Sequence, residues 1–464
     1  MKANFLVLAA ALCAFSSLFA QAPAILWQNT IGGDGSDFFF SLQQTADGGY
    51  ILGGYSDSDI FDDKTENSLG GWDYWVVKLN STGAIQWQNT IGGNNNDELR
   101  SLHQTADGGY ILGGGSRSDI SGDKTENPIG GSDYWVVKLN ATGVIQWQNT
   151  IGGNSSDELY SIQQTADGGY ILGGYSHSNI SGDKTENSSG ITDYWVVKLN
   201  TTGAIEWQNT IGGNTWDFLN SLHQTADGGY ILGGYSDSNI SGDKTENSNG
   251  GYDYWIVRLD SNGAIEWQNA IGGNGTDYLW SLQQTADGGY ILGGGSDSDI
   301  SGDKTENSIG ERDYWVVKLN AVGAIQWQNT IGGNYNDIPS SLRQTADSGY
   351  ILGGNSESNI SSDKSENCLG NTDYWVVKLT PETVPTEEAS APMGLKLYPN
   401  PATDIVIVRS EAATTLCLRN AFGQILSTQT IQGEAKIDLS HYPNGIYFLV
   451  ELETGIGHKI IKNR

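Results

Sequence analysis

The segment WQNT begins at Trp27, Trp87, Trp147, Trp207 and Trp327, and its variant WQNA at Trp267. The spacing is 60 residues, with no insertion or deletion over six copies. TADGGYILGG recurs at the same period, weakened to TADSGYILGG in the last copy, and DYWVVKL occurs six times, once as DYWIVRL. A constant period of this length restricts a chain to a solenoid, a propeller or an array, because each unit buries its apolar face on a neighbour.

Local chemistry chooses among these. SLQQT-ADGG-YILGG reads as two short strands around an Asp-Gly turn. DYWVVKL-NSTG-AIQWQNTI reads as a second hairpin, rich in aromatic and β-branched residues. No segment carries a sustained helical period. Each repeat therefore supplies four strands, near 41–45, 50–56, 74–79 and 84–91 in the first copy. Four-stranded units repeated radially are propeller blades. The final Tyr374–Leu379 strand has no fourth strand after it, whereas the chain begins with an orphan fourth strand, Ile25–Ile31. The count comes out even when that N-terminal strand completes the last blade, which leaves no unpaired edges. The expected fold is all-β: a six-bladed β-propeller over 21–380, closed by the N-terminal strand, followed by a small C-terminal β-sandwich. Within each blade the paired Gly53–Gly54 and their copies allow close packing, and Trp75 and Trp87 read as wedges between blades.

Residues 1–20 have an early Lys, an apolar run and Ala20 before Gln21, the pattern of a secretory signal peptide. No later apolar run approaches the roughly 18–20 residues that span a bilayer. Residues 381–392 form a Pro/Thr/Glu-rich linker, and from 393 to 464 the periodic Trp disappears. The two cysteines outside the signal, Cys368 and Cys417, fall in different regions and make no disulfide framework. The formal charge is −30, and residues 21–380 carry 45 acidic and 16 basic residues, close to −5 per repeat. That balance disfavours nucleic acid and anionic membrane surfaces as partners.

The repeat resembles a bacterial β-propeller repeat family, through Trp87–Gly93 with Asp97, Asp107–Gly114 and Asp133–Gly143. This resemblance implies a surface or secreted protein and no particular activity. The tail is similar to the type A sorting domain of the type IX secretion system of Bacteroidota. The motif residues are Leu397, Tyr398, Pro399, Asn400, Pro401 and Asp404 in LYPNPATD, with Gly445 in HYPNGIYFLVEL and the terminal GHKIIK. It implies handling by the type IX secretion machinery, passage through the outer membrane, removal of the tail by a sortase, and often attachment to anionic lipopolysaccharide.

Strand directions alternate, so the turns within the two hairpins share one face and the longer connections share the other. Loops on a rigid scaffold are where function usually lives. On the longer-loop face Asp97, Asp119, Asp123 and Glu126 fall within one repeat, with equivalents Asp217, Asn239, Asp243 and Glu246 in the fourth. Hard oxygen donors in a Gly-containing loop suit calcium; the same residues also suit solvated turns bonding their own backbone. The loop lacks the Glu that an EF-hand needs at its twelfth position. No histidine recurs in every copy, and His103 and His223 stand where the first copy has Gln43. No nucleophile triad, zinc spacing or phosphate-cradling loop is present, so no catalytic residue or organic cofactor is assigned. Trp72, Trp216 and Trp280 stand outside the repeat pattern, in or near loops, and are the candidates for surface contact. The expected function is a secreted or cell-surface binding or adhesion module for a glycan or protein. A polysaccharide-active enzyme or a structural surface-layer component is the alternative.

Overall fold

A computed structural model describes residues 27–381, 395–398, 402–420, 425–451 and 457–463. The chain divides after Thr380 into two units. The first unit is built from five four-stranded antiparallel sheets and one of three strands. In the first sheet these are β1 (Asp37–Gln44), β2 (Tyr50–Ser56), β3 (Asp73–Leu79) and β4 (Ile85–Ile91), hydrogen-bonded in chain order. The next four sheets repeat them every 60 residues. The last holds Asp337–Gln344, Tyr350–Ser356 and Asp373–Leu379. The hairpin turns place glycine, such as Gly48 at φ 81° and Gly83 at φ 86°, where a side chain would be strained; only Ser348 replaces it, in the last copy.

Successive sheets pack face against face like propeller blades. Ile51, Tyr74, Val76 and Ile91 of the first meet Leu99, Leu102, Trp135 and Val137 of the second in one buried cluster. Trp135 is fully buried there, which contributes about 3 kcal/mol. Gly113 lets the next blade approach, since a Cβ there would stand 2.6 Å from Leu159 Cδ2. Trp87 meets Tyr110 of the following blade edge to face at 5.7 Å. Both tryptophans of the repeat therefore act between blades.

The two ends of the series differ from its inner junctions. Trp27 lies against Tyr50 at 5.4 Å, as Trp87 does against Tyr110, and Asn29 Nδ2 donates to Gly83 O, as Asn89 does to Gly143 O. The N-terminal segment thus occupies the place of a preceding blade's fourth strand. Among the described residues it is not hydrogen-bonded to Asp373–Leu379, and Ile25 and Leu26 lie outside them. Tyr374 and Val376, whose counterparts are buried in the first five blades, are 89% and 62% exposed.

Among the described residues the tail is not the small sandwich expected from its sequence, in which short strands at 395–398, 404–409, 415–420, 425–430, 435–439, 445–452 and 459–462 alternate. It is one antiparallel sheet of five strands, in which two long ones, Ile405–Asn420 and Ile425–Asp438, replace four short ones. A register shift between Ser410 and Thr414 lets the strand change course without ending. Both halves then feed one core containing Val406, Val408, Leu416, Leu418, Ile437 and Leu449.

Candidate functional site

Three strand positions decide what the centre of the first unit presents. A cavity of about 510 Å³ is lined by the first strands of all six blades. In every one of these strands the register against the second strand slips by one residue, between Phe39 and Ser41 in the first copy. The residue in the bulge has no partner across the ladder and is free to be re-aimed. In order these residues are Phe40, Arg100, Tyr160, Asn220, Trp280 and Ser340. No two copies agree here, although the following residue is Ser in all six. Phe40, Arg100, Asn220, Trp280 and Ser340 line the cavity.

Two further positions join this collar. Position 38 and position 55 face one another across the first hairpin, and position 72 lies beside them. Tyr55 packs on Phe38, Phe40 and Trp72 at 5.1–5.3 Å. Arg100 lies over Phe40 at 4.6 Å and over Tyr55 at 5.3 Å, and pairs with Glu98 at 2.5 Å. On the opposite blades Tyr235 meets Tyr252, Tyr278 and Trp280, while Trp216 stacks on Phe218 at 5.8 Å. Trp72, Trp216 and Trp280 are therefore parts of one aromatic collar on the long-loop face, each half-buried. Sequence reasoning did not see the collar as a unit. Its signal was present: superposing the six copies column by column shows position 40 to be different in every copy, with positions 36, 38, 55, 57 and 72 among the other variable columns.

The acidic loop residues take other tasks. Asp97 is fully buried; its Oδ2 accepts from Gly93 N at 2.7 Å and Ser118 Oγ at 2.9 Å. Asp123 accepts from Gly92 N at 3.3 Å, and Glu126 from Thr150 N at 2.7 Å. Asp119 is exposed. The fourth repeat matches: Asp217 serves Gly213 N, Asp243 serves Gly212 N, Glu246 serves Ala270 N, and Asn239 is exposed. The carboxylates of Asp97, Asp123 and Glu126, and of their counterparts in the fourth repeat, are each committed to a different backbone amide. Among the described residues no group of three or more His, Cys, Asp or Glu side chains is placed to hold a metal ion. Instead, Asp97 belongs to a buried girdle. At each of the five inner junctions the third-strand Asp of one blade lies near the first-strand Asp of the next, as Asp73 does near Asp97, whose N–H bonds the adjacent Trp72 O. Each of these two keeps one buried, unpartnered Oδ1. Burial pushes Asp97 up to about 6, with the neighbouring Asp73 adding to the effect, while Lys124 lies close to Asp97 and Asp133.

In the tail, Leu397 packs against the core, Tyr398 Oη donates to Glu434 at 3.3 Å, and Asp404 O accepts from Leu439 N at 2.7 Å. Gly445 opens the strand Gly445–Glu451. Pro399, Asn400 and Pro401 lie outside the described residues, as does the signal segment. No helix among the described residues is long and apolar enough to cross a membrane.

Known proteins place the tail. The model of the secretion system C-terminal sorting domain matches residues 396–463. The regulatory protein FlaEY of Caulobacter vibrioides is 24% identical over 346 residues, covering 68% of this chain and 36% of its own length. This chain thus spans about a third of that relative. Among solved structures, Sqt1 from Chaetomium thermophilum aligns with 92% of this chain and 97% of its own at 12% identity, TM-score 0.38. The Pan2 WD40 domain of Neurospora crassa aligns with 74% and 91% at 11% identity, TM-score 0.36. The C-terminal unit is a type IX sorting domain, and the protein is exported by that route to the cell surface or released.

Proposed function

We propose that this exported protein is a binding module that takes a glycan or a protein at the aromatic collar around its central cavity. One observation carries the reading. The bulge position that points at the cavity is occupied by six different residues in six otherwise near-identical repeats. Packing alone would favour one repeated solution, so a strand position that differs in every copy at a cavity mouth supports a surface shaped for one ligand. Aromatic faces interleaved with Arg100 and Asn220 suit stacking on a sugar ring or on a protein side chain with polar contacts at its edge.

Ser340 supports the same bulge, which supplies the test. A variant carrying Phe40→Ser, Arg100→Ser, Tyr160→Ser and Trp280→Ser should keep its melting temperature and lose binding in a glycan and surface-protein screen. Retained binding in this variant sinks the collar as the site. A second reading, a polysaccharide-active enzyme, draws on Glu98 and Glu158, acids at position 38 in only two adjacent blades. Burial raises Glu158, and the charge of Glu98 adds to it, as a general acid beside a second carboxylate requires. Polysaccharide turnover lost in Glu158→Gln would favour this reading.

The same proposal includes ring closure: Trp27–Ile31 pairs with Asp373–Leu379 and completes the sixth blade. A sortase then removes the tail after outer-membrane passage. Mass spectrometry of the exported protein should find it ending upstream of Met393. Recovery with the tail attached would count against processing.

A further inference from the structure

Toward the tight-turn face of the cavity, three residues beyond the collar, a second ring of side chains differs from it in kind. It holds Gln43, His103, Gln163, His223, Gln283 and Arg343, so potential cations occupy every second blade. Gln43, His103, His223 and Arg343 line the cavity directly. The three glutamines are oriented by the backbone: Gln43 Oε1 accepts from Gln104 N at 2.6 Å, Gln163 Oε1 from Gln224 N at 3.1 Å, and Gln283 Oε1 from Gln344 N at 2.9 Å. Their NH₂ ends are left as donors at the same level.

The wall of this cavity reverses the charge of the unit that encloses it. Residues 21–380 carry 45 acidic and 16 basic residues. The lining contains Arg100, His103, His223 and Arg343 and no Asp or Glu. Arg100 is at the collar end, engaged by Glu98, so the far end is served by the two histidines and Arg343. We propose that this end of the cavity binds a dense oxyanion (a sulfate, phosphate or carboxylate group) held by His103, His223 and Arg343. The inference deepens the collar reading by naming the ligand's acidic group, and rests on that reading only if the anion belongs to a larger molecule.

Burial lowers His103, and Arg343 lowers it further; His223 is held down to about 4 by burial, then by Arg343 and His103. Both imidazoles are therefore neutral at pH 7. An anion between them and Arg343 reverses that repulsion, so binding takes up protons.

The test is calorimetric titration of the mature full-length chain with inorganic sulfate, whose charge is constant from pH 5.5 to 7.5. Sulfate should bind at one site, at least fivefold more tightly at pH 5.5, with proton uptake seen as a buffer-dependent enthalpy. The triple variant His103→Gln, His223→Gln and Arg343→Gln gives all six blades the residue that three already carry, so its fold is retained. It should bind sulfate at least tenfold more weakly. No sulfate binding at pH 5.5, or binding unchanged in the triple variant, overturns the proposal while leaving the collar untouched. Trigalacturonate separates the two sources of anion. If it binds more tightly than sulfate and weakens in the four-serine collar variant, the anion belongs to a saccharide. If sulfate binds better, the site takes a free ion.

Discussion

The hydroxyl of Tyr314 donates to the backbone oxygen of Trp375 at 3.1 Å, a bond between the third strands of adjacent blades. Tyr74, Tyr134, Tyr194 and Tyr254 make the same bond to Trp135, Trp195, Trp255 and Trp315. Tyr374 is next in the series and is 89% exposed. Its counterpart acceptor, by the 61-residue offset of the others, is the oxygen of Trp75. Closing the ring would supply it.

Closure has a defined register. Val76 stands opposite Asn89 in the first blade, so Val376 should stand opposite Asn29. Asn29→Cys with Val376→Cys, in a Cys368→Ser and Cys417→Ser background, should cross-link on mild oxidation. Peptide mapping that finds no 29–376 disulfide would refute the closed form.

Tyr134 tests the value of the inter-blade bond. Its hydroxyl is fully buried and occupies the space above Gly174. Tyr134→Phe should destabilise by about 1–2 kcal/mol, because Trp195 O loses its buried donor. Chemical denaturation would show this as a lower midpoint with unchanged slope.

Three positions where the repeat elsewhere has Gly carry other residues yet keep the left-handed backbone: Asp62 at φ 47°, Ser348 at φ 64° and Ser362 at φ 45°. Ser348→Gly and Ser362→Gly should each stabilise by roughly 0.5–1 kcal/mol by relieving that conformation. Asp62→Gly should do less, since Asp tolerates the region better. Melting temperatures that fall would contradict the strain.

The girdle sets a pH dependence. Asp97, Asp133 and Asp193 are pushed up to about 6 and Asp253 to about 7, burial being the largest cause. A raised carboxyl holds its proton more firmly folded than unfolded. That stability is full below about pH 4 and is lost as pH rises through 6–7. The turn acids Asp47, Asp107, Asp167 and Asp287, lowered to about 2 by hydrogen bonds from the turn and Lys partners, act oppositely and only in stronger acid. The melting temperature should therefore fall between pH 5 and 7.5. Asp133→Asn, which supplies a donor beside Asp157, should flatten that slope.

Calcium should leave the melting temperature unchanged relative to EDTA, because Asp97, Asp123 and Glu126 each serve a separate amide. A stabilisation of several degrees would mean that these loops rearrange around the ion.

The sixty-residue period, the Asp-Gly turns and the alternation of DYWVVKL determined four strands per repeat, because turn chemistry and side-chain alternation act over a few residues. The motif from Leu397 to Asp404 likewise identified the tail. Tertiary structure alone decided the rest. Gln43 and its replacements His103, His223 and Arg343 look like tolerated substitutions along the chain, yet they meet across one cavity because six strands 60 residues apart converge there. The acids of the loops look like a metal site in sequence. Folding gives Asp97, Asp123 and Glu126 different backbone amides, leaves Asp119 exposed, and buries Asp97 beside an Asp from the preceding blade. Local sequence sets which elements form; which side chains share a space is set by the packing of successive sheets, through contacts a whole repeat or more away in the chain.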